Sequence, residues 1–159
     1  MTSQQCTIRA RLPKVSKQSL AAILTSFAKK RAKGVYSFWT GNGQCLYIGR
    51  SVNLAQRIPS SFRERIPIRQ HGNVYLRTAI TATASDMAVA EVALIATHKP
   101  SLNRDSKFDD ELTLSIEIPV LSSPIVMEFP AKGLLHKLQR ISADYFDHTT
   151  VAARALEPT

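Results

Sequence analysis

The sequence predicts a small α/β fold, an α+β layer, on three observations. Two short runs rich in aromatic and β-branched residues, GVYSFWT and CLYIGR, flank a tight Gly-Asn-Gly turn. Apolar residues recur at helical spacing in SKQSLAAILTSFAKKRAK. A third run, MAVAEVALIA, follows a Thr-x-x-Asp capping pattern and ends at Lys-Pro. With 159 residues, 44% of them hydrophobic, the chain is long enough for one domain with a real core.

Taken in order, residues 16–33 read as an amphipathic helix with Leu20, Ile23, Leu24 and Phe27 on one face. Lys29, Lys30, Arg31 and Lys33 crowd its end, where cations suit the helix dipole. They serve either as a solvated face or as phosphate contacts. Gly34–Thr40 and Cys45–Arg50 read as paired strands. A two-residue Asn42-Gly43 turn sets Phe38 opposite Tyr47 and Tyr36 opposite Gly49. That register puts both tyrosines on one face and leaves space at Gly49 in front of Tyr36. A three-residue loop shifts the pairing by one and sends them to opposite faces. Ser51 reads as the N-cap of a helix through Arg57, which Pro59 should kink or end. Phe62, Arg63 and Arg65 then fall in a further turn, and His71-Gly72-Asn73 in another. Val74–Ala82 reads as a third strand.

The helix from Met87 to Ala96 is apolar but for Glu91. Such a helix should be buried on most sides. A lone carboxylate in it is costly unless it has a partner. Either Glu91 lies on a narrow exposed strip with Ala84, Ala88 and His98, or it points at a cation or a metal. Beyond Asn103 the texture changes. RDSKFDDE is an acidic linker, LTLSIEIPV and IVMEF alternate like a β-hairpin, and Leu134, Leu138, Ile141 and Tyr145 mark a final helix. The division is therefore 1–33, 34–103 and 104–159.

The net charge of +9 is unevenly spread. Residues 1–103 hold 15 Lys/Arg against three acids, Glu64, Asp86 and Glu91, whereas residues 104–159 hold six against nine. So basic a segment should attract polyanions, nucleic acid first, because neutralised phosphates release counterions. A basic solvated surface is the plainer alternative. No apolar run reaches the ~20 residues of a membrane helix, and the N-terminus lacks the apolar core of a secretory signal. Two cysteines, Cys6 and Cys45, are too few for a disulfide scaffold or a zinc site, so a reducing, cytoplasmic setting is expected. There is no Gly-rich phosphate loop and no nucleophile elbow.

The unusual residues make one coherent chemistry. Hydrolysing a phosphodiester needs a water, a base, positive charge for the transition state and often a metal. A tyrosine serves as base only if cations lower its pKa from ~10; Arg50 and Arg57 are at hand. One carboxylate can hold Mg²⁺ when waters and phosphate oxygens fill the other positions.

In these residues the chain resembles the GIY-YIG nuclease family. The matching elements are Gly34-Val35-Tyr36, Tyr47-Ile48-Gly49, the run GRSVNLAQR ending in Arg57, Glu91 in its apolar helix, and Lys99-Pro100 with Asn103. The resemblance implies a three-stranded antiparallel sheet flanked by helices. It also implies roles. Tyr36 would be the general base or would orient the attacking water, and Tyr47 would bond that water or the phosphate. Arg57 would stabilise the transition state, with Arg50 near the phosphate. Glu91 would be the sole protein ligand of one Mg²⁺ or Mn²⁺ ion, and Asn103 would tie the end of the metal helix back to the site. Ser61 departs from the family, which often has His or Tyr four residues after the arginine. His71 and His98 are expected to be ordinary surface residues.

Three readings follow. The first is a metal-dependent endonuclease cutting DNA, with RNA left open and Lys29, Lys30, Arg31, Lys33, Arg63 and Arg65 as backbone contacts. The second is a nucleic-acid-binding module of the same fold without cleavage. The third is an adaptor that binds a protein partner, or a second copy of the chain, through residues 104–159.

Overall fold

The computed structural model describes residues 11–66, 72–104 and 113–154, with side chains through residue 143. Cys6, His71, most of the acidic linker and the Tyr145 side chain lie outside that description. The elements run α1 (Leu20–Lys30), β1 (Gly34–Thr40), β2 (Cys45–Ser51), α2 (Leu54–Arg65), β3 (Val74–Ile80), α3 (Ala84–His98), β4 (Ile125–Val126) and α4 (Lys132–Arg154). The sheet is antiparallel in the order β2-β1-β3-β4, so β2 is an edge strand.

The expected three strands are present, and the fourth replaces the expected hairpin. Among the described residues of LTLSIEIPV, from Thr113 on, none forms a strand; Ile125–Val126 pairs with β3 instead. Pro119 and Pro124 remove ladder donors from this segment, so alternation alone does not make a strand of it. It is tied to β3 at Ser122: Ser122 N donates to Thr78 O at 2.8 Å, and Arg77 Nε donates to Ser122 O at 3.0 Å.

The register of β1 and β2 is the expected one, reached by a different route. The loop has three residues, Gly41-Asn42-Gly43. Gly43 N donates to Thr40 O at 3.0 Å, Thr40 N donates to Gln44 O at 2.9 Å, and Gly43 takes a left-handed φ of 82°. Alone, this loop would flip the faces. A bulge at Leu46 adds one residue to β2 and restores the pairing, so that Phe38 opposes Tyr47 and Tyr36 opposes Gly49. In consequence consecutive residues Leu46 and Tyr47 pack on the same face, while Cys45 packs on the other.

Two cores result. On one face of the sheet, Tyr36, Phe38, Leu46 and Leu76 pack against α1, α2 and α4 through Leu24, Ile58, Phe62 and Leu138. On the other, Val35, Trp39 and Ile48 pack against α3 through Ala90, Leu94 and Ile95, with Leu121. Segments on both sides of the 34–103 region therefore share its first core. Among the described residues no helix is long and apolar enough to cross a membrane.

Three helices differ in detail from expectation. α1 is shorter, with Ser19 accepting from Ala22 N at its start and Arg31 in the left-handed region at its end. α2 is capped by Asn53, not Ser51, and runs through Pro59 to Arg65. Burial of Ala55, Ile58, Pro59 and Phe62 on one stripe holds it continuous against the proline's lost hydrogen bond. α3 leaves Val89 and Val92 exposed.

Candidate active site

The β1–β2 register brings Tyr36 and Tyr47 together, with ring centroids 6.1 Å apart. The space expected at Gly49 is filled by Tyr36 itself: a Cβ on Gly49 would stand against the Tyr36 hydroxyl and 2.5 Å from its Cζ. Glycine is required there by close approach. Tyr36 is 1% exposed and its hydroxyl donates to Ser61 Oγ at 2.9 Å; Ser61 is itself fully buried.

Arg57 lies near the Tyr36 hydroxyl, and the attraction between the two raises the arginine's pKa. Burial nevertheless pushes the Tyr36 phenol above its ordinary value, and the Ser61 and Arg57 contacts offset this only in part. This corrects the expectation of a phenol lowered by Arg50 and Arg57. Only Arg57 acts on it, and desolvation disfavours the charged form more strongly than one surface arginine favours it.

Arg50 lies elsewhere. It alternates to the α3 side of β2 and pairs with Glu91, Arg50 Nε to Oε2 at 3.2 Å. Glu91 is half-buried, and its pKa is raised because burial outweighs the attraction of Arg50. Of the two placements open for Glu91, the structure gives the one beside a cation. Edge strand β2 thus carries the tyrosine group on one face and the Arg50–Glu91 pair on the other.

Asn103 closes the outer edge of β2. Its Oδ1 accepts from Ile48 N at 2.9 Å and its Nδ2 donates to Ile48 O at 2.8 Å, so a side-chain amide imitates one rung of a strand. Leu102 N continues the contact to Leu46 O at 2.8 Å. Replacing Asn103 with Ala should remove two hydrogen bonds worth about 0.5–1.5 kcal/mol each. A urea melt should show a loss of about 1–3 kcal/mol.

The basic residues separate. Arg65 lies over the Tyr47 ring, its Cζ 5.5 Å from the centroid. Arg63 lines a cleft between α2 and α4. Lys29, Lys30, Arg31 and Lys33 stand at the end of α1. Ser61, which the sequence marked only as a departure from the family, accepts the hydrogen bond of the Tyr36 hydroxyl. Arg57, Ser61 and Arg65 fall four apart, on one stripe of a continuous α2. Reading Pro59 as a helix end hid that stripe. His98 is only partly exposed: its ring meets Trp39 edge-on at 5.0 Å, and burial lowers its pKa.

For a divalent metal the donor set is one carboxylate. Among the described residues no group of three or more His, Cys, Asp or Glu is placed to hold an ion. Glu91 fits a hard cation that draws its remaining ligands from water and phosphate. Arg50, its present partner, is 44% exposed.

Residues 32–104 match the family model of the UvrC-like GIY-YIG domain. This segment is similar to GIY-YIG domains. Among curated proteins, the chain is similar to UvrABC system protein C of Trichlorobacter lovleyi, 29% identical over 131 residues. Those residues cover 79% of this chain and 21% of that protein. The counterparts from Dictyoglomus thermophilum and Geobacter metallireducens are 26% and 28% identical, each covering 78% of this chain and 20% of the relative. The chain spans about a fifth of the length of these relatives. No solved structure matches significantly. At the level of the family, the GIY-YIG domain is a nuclease domain.

Proposed function

We propose that the chain is a metal-dependent endonuclease that hydrolyses DNA phosphodiester bonds. The observation that carries this reading is Glu91. A half-buried carboxylate on an apolar helix, with burial outweighing its one cation partner, is a poor stabilising device. It is a good site for a divalent ion.

In this reading Glu91 holds one Mg²⁺ or Mn²⁺, which supplies Lewis-acid stabilisation of phosphate charge and acidifies bound water. The protein's own residues do the rest. Tyr36, with its proton directed to Ser61, turns its oxygen lone pairs toward the attacking water and orients it. Arg57, close to that oxygen, faces the charge that develops on the phosphate. Tyr47 hydrogen-bonds the water or the phosphate, and Arg50, once released from Glu91, grips a phosphate oxygen. Asn103 fixes the strand carrying Tyr47. The name shared by the relatives, a component of a UvrABC system, favours a DNA-repair setting over restriction or mobile-element roles.

One observation favours the alternative, a binding module without cleavage. Tyr36 is 1% exposed and its pKa is raised, so in this conformation it neither meets water nor ionises readily. The test uses end-labelled single-stranded, duplex, nicked and branched DNAs with Mg²⁺, Mn²⁺ or EDTA, and Tyr36→Phe beside the wild type. Cutting that needs metal and falls by ~10²–10⁴ in the variant establishes the nuclease. Binding without cutting in both proteins establishes the module.

A further inference from the structure

We propose that the N-terminal and C-terminal helices together grip the DNA backbone beside the nuclease domain, in a lysine-lined cleft between α1 and α4. The proposal rests on DNA being the substrate. The cleft, of about 520 Å³, is lined by Lys29, Lys30 and Lys137, with Thr25, Ser26 and Leu134 among its walls. All three lysines are exposed. Lys30 also lines a cleft of about 390 Å³ on the other flank of α1, together with Lys33.

Cations this dense exceed what one helix end needs to balance its dipole. They also come from two elements far apart in sequence. The C-terminal third is acidic as a whole, but its charge is segregated. Residues 132–143 hold Lys132, Lys137 and Arg140 and no acid, while the acids fall at 105–128 and from Asp144 onward. The basic part of α4 is the part packed beside α1. Three ammonium groups over a partly apolar wall suit a phosphodiester chain, with lysines on phosphate oxygens and Leu134 against sugar.

The cleft adjoins the site. Ala32 O accepts from Leu54 N at 3.2 Å, which ties the end of α1 to the start of α2, the helix of Arg57. Tyr36, the residue after Val35, lies on the face of the sheet that α1, α2 and α4 cover. From Lys30 to Val35 is five residues, at most ~18 Å of chain. That is about five base pairs at ~3.4 Å each, so one duplex can reach both places.

The test measures binding of a fluorescent 20-base-pair duplex in EDTA across 50–200 mM salt. Wild type is compared with Lys29→Gln/Lys30→Gln/Lys137→Gln and with Lys137→Gln alone, their folds checked by circular dichroism. Each lost phosphate contact should reduce the salt slope by ~0.9: about 2.7 in the triple variant and ~0.9 in the single. A triple-variant slope within one unit of wild type overturns the cleft. A single-variant slope equal to wild type overturns the part given to α4. Because EDTA removes chemistry from the readout, a protein that never cuts DNA still gives a clear answer here. Equally, failure of the cleft leaves metal-dependent cleavage standing.

Discussion

Glu91→Gln should abolish cleavage and, without metal, make the protein more stable at neutral pH. Losing the carboxylate that holds the ion should cost about 4 kcal/mol of transition-state stabilisation, a ~10³-fold fall in rate. The stability change has the opposite sign. The pKa of Glu91 is raised in the fold, because burial penalises the charge more than Arg50 favours it. Such a group contributes stability when protonated, below its ordinary value near 4.5, and loses it as pH rises through the raised folded value. At pH 7 the ionised wild type therefore carries a penalty that a neutral glutamine lacks. Melting in EDTA should give a higher Tm for the variant at pH 7, and the two proteins should converge below pH 4.5. Adding metal should invert the comparison. An ion at ten times its Kd adds about 1.4 kcal/mol to the wild type, or about 3–5 °C at this chain length, and nothing to the variant. A variant that melts lower than wild type at pH 7 in EDTA would show that the Arg50 pair is a net structural bond and would remove the argument for a metal there.

Gly49→Ala should damage both fold and site, through Tyr36. The added Cβ occupies the place of the Tyr36 hydroxyl and Cζ. The ring is walled in by Phe38 at 5.7 Å and by Tyr47 at 6.1 Å between centroids, so it cannot retreat freely. Overpacking of this kind costs about 1–3 kcal/mol, with a Tm loss of about 2–4 °C for each kcal/mol. Moving the phenol away from Ser61 and Arg57 by ~1 Å should cost ~10² in cleavage. Coupling to Tyr36 can be measured directly: in Gly49→Ala/Tyr36→Leu, the smaller side chain should recover much of the stability and none of the cutting. If stability falls equally with either residue at position 36, the contact is not the cause.

Much of this was legible in the sequence because the signals were local and redundant. Strand propensity, the Gly-Asn-Gly turn and the paired Gly-x-Tyr and Tyr-x-Gly triplets all pointed to one register. Glu91 stood out as the only polar residue in an apolar run. What was not legible depended on distant packing. The three-residue loop and the Leu46 bulge cancel, so the right register followed from the wrong loop. Pro59 reads as a break, yet α2 persists because one buried stripe holds it against the first core; Ser61 was noticed as a departure from the family, but its bond to Tyr36 was not. The 113–120 segment alternates as a strand does, but its neighbouring prolines leave it outside the sheet. The pKa of Tyr36 turned on burial, which charge pattern does not report.

The Asn103 amide bears on how the molecule behaves in a crowd. β2 bears Tyr47 and Arg50 and lies at the margin of the sheet, where a polymer can approach. A margin with open backbone groups invites strands from other molecules and, from there, aggregation. By pairing with Ile48 through a side chain, and with Leu46 through the following turn of chain, the segment after α3 satisfies that margin without offering a new one. Fewer backbone groups of β2 are thereby left open to a strand from another molecule.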